Sequence, residues 1–143
     1  MHFCIGLMLH VSCMPSTSAS DITPGPYALG TIEEQHGSLA RSRVEEWQQL
    51  IQSGSGLSDL GKLQRVNAFF NRVEFINDID HWGVEDYWAT PLQLLASNGG
   101  DCEDFSIAKY FTLRQMGIPA VNLRMTYVNA IKLNQAHMVL TYF

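Results

Sequence analysis

Positive charge is scarce in this chain, with 9 Lys and Arg against 14 Asp and Glu in 143 residues, a formal net charge of −5 at pH 7. That balance argues against a broad electrostatic footprint for nucleic acid or for an anionic membrane surface. Charged residues of both signs make up only 16%, below the ~25% of an average soluble domain. Cysteine is rarer still: there are three, and Cys4 and Cys13 fall in the first 13 residues. Three thiols so placed make neither a disulfide framework nor a zinc constellation. No apolar run reaches the roughly 20 residues that a membrane-spanning helix requires, and no internal repeat or low-complexity tract is present. Apolar side chains, by contrast, are plentiful: 46% of residues, including 7 Phe, 5 Tyr and 3 Trp. That is material for an ordinary core, and the length suits one domain.

Residues 1–20 are set apart from the fold. Phe3 to Met14 is mostly apolar, and Pro15 to Ser20 is a run of small residues of the kind that precedes a signal cleavage site. No Lys or Arg precedes the apolar stretch, and His10 and Ser12 interrupt it. The segment reads as an imperfect export signal, and Cys13 as incidental to it. Residues 21–37, with Pro24, Gly25, Pro26, Gly30 and Gly37, read as an extended lead-in. The folded domain is expected over residues 38–143.

Within that domain, Ala40, Val44, Trp47 and Ile51 recur at helical spacing behind Ser38, and Leu63, Val66, Phe70 and Val73 do so behind a capping Ser58. Asn77 to Tyr87 is acidic and irregular, and reads as a loop. Thr90-Pro91 opens a short helix that Asn98-Gly99-Gly100 closes. The next helix runs from about Cys102 to Gly117, its buried stripe formed by Phe105, Ala108, Phe111 or Thr112, and Met116. After Pro119 the period becomes two: Val121, Leu123, Met125 and Tyr127 predict a strand with one buried face, and Ala136 to Phe143 a second.

The chemistry concentrates at two places. Gly99-Gly100 and Asp101-Cys102-Glu103-Asp104 put a thiol on the first turn of a helix, where backbone amides favour a thiolate and can donate to an oxyanion. The candidate base is His137, at the opening of the last strand. A helix bearing Cys followed by a strand bearing His is an order suited to nucleophilic catalysis, although each residue alone equally fits a packing role. Asp101, Glu103 and Asp104 suit a helix N-terminus as capping acids, yet three carboxylates disfavour a neighbouring thiolate. A hard cation would cancel that penalty, and all-oxygen ligands suit calcium better than zinc. Elsewhere, Trp82 and Trp88 could wall a cleft or join helix to loop. His81 reads as an exposed loop histidine, Arg124 as a solvated strand residue, and Asn134-Gln135 as turn residues.

Tyr87-Trp88-Ala89-Thr90-Pro91, then Gly100-Asp101-Cys102-Glu103-Asp104-Phe105-Ser106-Ile107-Ala108-Lys109-Tyr110, then Asn134-Gln135-Ala136-His137-Met138-Val139-Leu140 together resemble the bacterial transglutaminase-like cysteine proteinases of the LapG type. The resemblance runs from about Trp82 to Phe143 and more weakly from Ser38. It implies an α+β, papain-like or transglutaminase-like fold: amino-terminal helices, then a central Cys-bearing helix packed on an antiparallel sheet. It assigns Cys102 as nucleophile and His137 as general base, and implies calcium at Asp101, Glu103 and Asp104. It further implies a periplasmic endopeptidase that cuts a large surface adhesin near its amino terminus and so controls adhesin release and biofilm dispersal. An inner-membrane receptor for cyclic di-GMP is the implied regulator.

One departure stands out. In that family an aspartate on the strand after the histidine orients the imidazole, and no such strand lies before Phe143. Asp78, Asp80 and Asp86 precede the Cys helix, which argues against their taking that role. The sheet therefore reads as incomplete and the chain as truncated at its carboxyl end. Loss of the orienting carboxylate in a serine triad costs about 10⁴ in rate, so weak or no activity is expected, and a chain extended through further strands is the comparison that tests it. Two other readings stay open: a non-catalytic fragment that binds the adhesin or a regulatory partner, and acyl transfer to an amine in the manner of transglutaminases.

Overall fold

A computed structural model describes residues 23–131 and 135–143. The export-signal reading of residues 1–20 and the Asn134 part of the turn lie outside the described residues. Helix α1 (Pro26–His36) leads into α2 (Ser38–Gly54) and α3 (Asp59–Phe70), and then come the two-residue strand β1 (Glu74–Phe75) and the single turn α4 (Asp78–His81). Helix α5 (Pro91–Ser97), strand β2 (Gly99–Gly100) and the long helix α6 (Cys102–Gln115) follow, and strands β3 (Leu123–Ala130) and β4 (Gln135–Tyr142) end the chain. The arrangement is α+β, as expected. None of the described helices is long and apolar enough to cross a membrane.

The helices form where their apolar residues can share one core. Ala40, Val44 and Trp47 on α2 are fully enclosed, and Val66 and Phe70 on α3 meet them. Ser58 caps α3 by accepting from the Gly61 amide at 3.3 Å, whereas Gly37 takes the cap position of α2 and Ser38 is its first residue. On α6 the stripe resolves in favour of Thr112, fully buried, while Phe111 is 40% exposed. The Thr112 hydroxyl donates to the Ala108 carbonyl at 2.7 Å and accepts from the Trp47 indole at 2.8 Å, so a polar atom inside the core is satisfied twice.

Three expectations are corrected. Residues 26–36 are a helix and not part of an extended lead-in. Pro26 occupies the first turn, where its missing N–H costs nothing, and Gly37 ends the helix at φ +84°, so these residues bound a helix that a loop reading had counted against. Leu29 then reaches the core, and Arg41 of α2 holds Glu33 at 2.8 Å. The strand expected from Val121 begins at Leu123. Residues 120–122 form a tight 3-10 turn behind Pro119, Val121 is exposed, and pairing starts at Leu123 opposite Tyr142. Finally, the acidic segment after Asn77 carries a helical turn at Asp78–His81.

Two features bring the later site together. β1 and β2 pair in parallel, Glu74 with Gly99 and Phe75 with Gly100, and the Ile76 amide donates to the Gly100 carbonyl at 3.0 Å. The acidic segment thus starts beside the amino terminus of α6. Gly100 is required there, because a β-carbon would lie 2.5 Å from Asp104 Oδ2 and 2.7 Å from Leu94 Cδ1. Helix α5 is held by a capping box between Thr90 and Gln93, and Arg43 donates to the Leu95 and Ala96 carbonyls at its end, at 2.7 and 3.0 Å.

Candidate active site

Cys102 is the first residue of α6, half-buried, and it meets β4 directly. The Met138 amide donates to Cys102 Sγ at 3.3 Å. One helical turn along, the Ser106 hydroxyl lies 2.8 Å from the Cys102 carbonyl and 3.2 Å from that of Met138. Met138 is thereby fastened to the first turn of α6 by both of its main-chain groups. His137, its neighbour in the chain, sits with Cys102 on the wall of one cleft of ≈270 Å³, shared with Asp101, Glu103 and Asp86. Antiparallel pairing of β4 with β3 sets His137 opposite Val128. The structure therefore brings together the two residues that sequence spacing paired. On the other side of the sulfur, a larger and mostly apolar groove of ≈740 Å³ runs between α3, α6 and β4.

The thiol itself is held protonated. Burial, joined by the Glu103 and Asp101 carboxylates, pushes Cys102 up to about 11, and only the Met138 amide acts in the opposite direction. Its hydrogen goes to Glu103 Oε2 at 3.1 Å. Burial is the largest of these influences, and the neighbouring acids add to it.

Those acids belong to a larger group. Asp104 is fully buried: Oδ1 accepts from the Ala89 amide at 2.6 Å, and Oδ2 from the Asp101 amide at 3.3 Å. Asp78 is 2% exposed, and its Oδ2 accepts from the Tyr87 amide at 2.5 Å. Ligand atoms of Asp78, Asp101 and Asp104 lie within 4.8 Å of one another, and so do those of Asp78, Asp86 and Glu103. Asp101, Glu103 and Asp104 are thus divided between adjacent groups, because successive residues of a helix point about 100° apart. Burial and the surrounding carboxylates push Asp101 up to about 7 and Asp104 up to about 6. Glu103 goes the other way: burial alone would raise it, but hydrogen bonds from Cys102 and Asp101 outweigh burial and lower it.

Sequence reasoning weighed Asp78 and Asp86 only as substitutes for a triad member, and missed them as companions of Asp101 and Asp104. The run of acids between Asn77 and Tyr87 was the available signal. Neither they nor Asp80 reach the histidine: among the described residues, no side chain is hydrogen-bonded to the His137 imidazole. His81 is not the exposed loop residue expected. It is half-buried, its Nε2 enclosed without a partner, and it packs edge-on to Trp82 with ring centroids 4.5 Å apart. Trp82 in turn lies 4.6 Å from the Tyr87 ring and joins α4 to the loop. Trp88 is exposed at the surface, where its indole donates to Asp86 at 2.9 Å. Neither tryptophan lines the cleft. Arg124 is exposed on β3, its guanidinium 5.1 Å from the Phe143 ring centroid.

Comparison with known proteins gives this geometry a relation. The family described as bacterial transglutaminase-like cysteine proteinase matches residues 40–142. The calcium-bound structure of Legionella pneumophila LapG superposes with a TM-score of 0.71 at 38% identity, over 82% of this chain and 65% of that one. A second LapG structure gives 0.67 at 39% identity, over 80% and 65%. The EGTA-treated form gives 0.67 at 39% identity, over 80% and 63%. The chain therefore spans slightly less than two thirds of the LapG length. No curated protein matches it. A family match across most of the chain, a shared fold at this identity and a cysteine at the head of the central helix lead to one conclusion: the chain belongs to the bacterial transglutaminase-like cysteine proteinases.

Proposed function

We propose that this protein is a LapG-type cysteine endopeptidase, with Cys102 as nucleophile and His137 as general base. The observation that carries the reading is the fastening of Met138 to the first turn of α6, with its neighbour His137 on the wall of the cleft that Cys102 lines. In the reaction, His137 takes the Cys102 proton as sulfur attacks the scissile carbonyl carbon. It returns that proton to the leaving amine as the C–N bond breaks, and the thioester is then hydrolysed by water. The substrate is the amino-terminal region of a large surface adhesin, cut in the periplasm, with control of biofilm dispersal as the consequence. An inner-membrane cyclic di-GMP receptor restrains the enzyme.

The acidic group fits calcium. Asp78 Oδ1 and Asp101 Oδ1 are buried without a hydrogen-bond partner, the ligand atoms grouped with Asp78 are all carboxylate oxygens, and LapG itself has been solved in a calcium-bound form. Asp101, Glu103 and Asp104 would hold the ion, which when bound supplies positive charge that offsets the carboxylates crowding the thiol.

Cleavage is tested with an adhesin amino-terminal fragment and this chain in molar excess. Because His137 lacks a hydrogen-bonded carboxylate among the described residues, slow turnover is expected, and a serine triad so impaired loses about 10⁴ in rate. Single-site cleavage in calcium that EGTA abolishes supports the proposal. An intact fragment after prolonged incubation in calcium, with binding retained, favours instead the non-catalytic reading.

The cation also has a stability signature. Asp101 and Asp104 have folded-state values raised to about 7 and about 6. Raised carboxyls favour the fold at low pH, and that contribution disappears as pH rises through 6 to 7. EGTA-treated protein is thus expected to melt at a higher temperature at pH 5 than at pH 8, and calcium to raise the midpoint more at pH 8. Thermal melts at the two pH values, with and without calcium, check this.

A further inference from the structure

We propose that the apolar groove beside Cys102 seats the peptide substrate as an added strand on the free edge of β4, and that Lys109 selects an acidic side chain about three residues from the cut bond. The inference rests on the endopeptidase reading above and adds a determinant of substrate choice. The groove of ≈740 Å³ opens onto the sulfur, since Cys102 lines it together with Phe105, Lys109, Leu113 and Leu140. β4 is paired on one side only, with β3. Both main-chain groups of Met138 face α6, the amide donating to Cys102 Sγ and the carbonyl accepting from the Ser106 hydroxyl. Residues of an antiparallel strand alternate between facing their partner and facing away. Leu140 and Tyr142 therefore turn their N–H and C=O groups to the same side as Met138, whereas the Phe143 amide points the other way, to the Asn122 carbonyl at 3.0 Å. Among the described residues, no loop or side chain takes the main chain of Leu140 or Tyr142. A row of such groups is a template for an extended peptide, whose main chain supplies affinity while side-chain contacts supply choice.

The choice comes from charge. Among the described residues, Lys109 is the one charged side chain lining the groove, and none of the ion pairs includes it. Its ammonium donates to Asn67 Oδ1 at 2.8 Å and to Asn71 Oδ1 at 3.3 Å, and it lies 5.7 Å from the Phe105 ring centroid. These neutral partners position the cation without cancelling its charge. Burial holds it below the usual lysine value, and no carboxylate acts in the opposite direction. A half-buried cation against an apolar wall attracts a carboxylate more strongly than one in open water. Cys102, Ser106 and Lys109, spaced by four and then three, share one face of α6. Lys109 thus stands about 10 Å along the helix from the nucleophile, a distance that an extended chain covers in about three residues.

The test uses Cys102→Ala protein, which binds without cutting, and versions of the adhesin amino-terminal fragment in which each residue in turn is replaced by glutamate and by lysine. Calorimetry is expected to give at least about tenfold tighter binding for glutamate than for lysine at one position, about three residues from the bond that the wild-type chain cuts. Lys109→Met should abolish that difference and Lys109→Glu reverse it, whereas a merely structural lysine would weaken every fragment alike. No charge preference at any position, or the same preference in Lys109→Met, overturns the proposal even where the wild-type chain cuts the fragment. A Lys109-dependent preference without any cleavage overturns the endopeptidase reading and leaves the groove as a peptide site. Fragments neither bound nor cut overturn both. Hydrogen exchange reports the added strand directly: the Leu140 and Tyr142 amides are expected to slow when the fragment binds, and unchanged rates overturn the pairing. Amides already slow without fragment, in a chain that sediments as a dimer, assign the edge to a second copy and overturn it too.

Discussion

Replacing Cys102 by alanine is expected to abolish the proposed peptide cleavage entirely while leaving the fold intact. The side chain is half-buried at a helix start, and its contacts are a hydrogen bond to Glu103 and an acceptor contact from Met138. Losing them costs little structure, since Ser106 still holds the Met138 carbonyl. No other described residue supplies a thiol, as Cys102 is the one cysteine among them. His137→Ala is expected to reduce cleavage by roughly 10²–10⁴-fold, the usual range for a positioned base. A direct readout avoids dependence on turnover: iodoacetamide labelling of Cys102 followed by mass spectrometry. Only the thiolate reacts. In EGTA, with the thiol held up to about 11, labelling should be slow at pH 7 and climb steadily with pH to the alkaline end. Calcium should accelerate labelling at pH 7. A rate in EGTA that already equals free cysteine at neutral pH would show that the carboxylates do not govern the sulfur.

Trp47→Ala is expected to have the largest effect on stability. Trp47 is fully enclosed on α2, at the meeting of that helix with α6, and its indole N–H reaches the buried Thr112 hydroxyl at 2.8 Å. Truncating a buried large aromatic costs about 3–5 kcal/mol, and the hydroxyl loses a donor as well. Against a total of about 5–15 kcal/mol for a domain, that is a large share, and a fall in melting temperature on the order of 10–20 °C is expected. Trp47→Phe keeps much of the packing and loses the hydrogen bond, so it should fall between the two. Urea unfolding checks the pair, with a lower midpoint at unchanged slope as the signature of lost stability in the folded state. Because α6 carries Cys102 at its first residue, the same variant is expected to reduce activity through a loosened helix, without altering which site is cut.

Much of the helical scaffold is legible in the sequence because its determinants are local. Ser58 and Thr90 cap where their side chains can reach amides three residues on, and the Ala40, Val44, Trp47 stripe needs only the helical repeat. Where local signals conflict, tertiary packing decides. The glycines and prolines around α1 read as a loop, yet burial of Leu29 against α2 makes residues 26–36 worth ordering as a helix. Val121 continues a two-residue alternation, but the turn behind Pro119 exposes it. His81 has no partner at any motif spacing, and only the packing of α4 against Gly99 and Trp82 encloses it.

The candidate site divides along the same line. Sequence by itself determined the thiol at the head of a helix, the histidine on a later strand and the family to which their surrounding residues point, since these are read from residue type, order and local capping chemistry. Only the tertiary structure decided that Met138 fastens His137's strand to the sulfur, and that Asp78 and Asp86 join acids 15 or more residues away in the chain. The physical reason is that hydrogen bonds and charge clusters depend on distance through space. The parallel pairing of Glu74-Phe75 with Gly99-Gly100 that brings those carboxylates together leaves no periodic trace in the residues it joins.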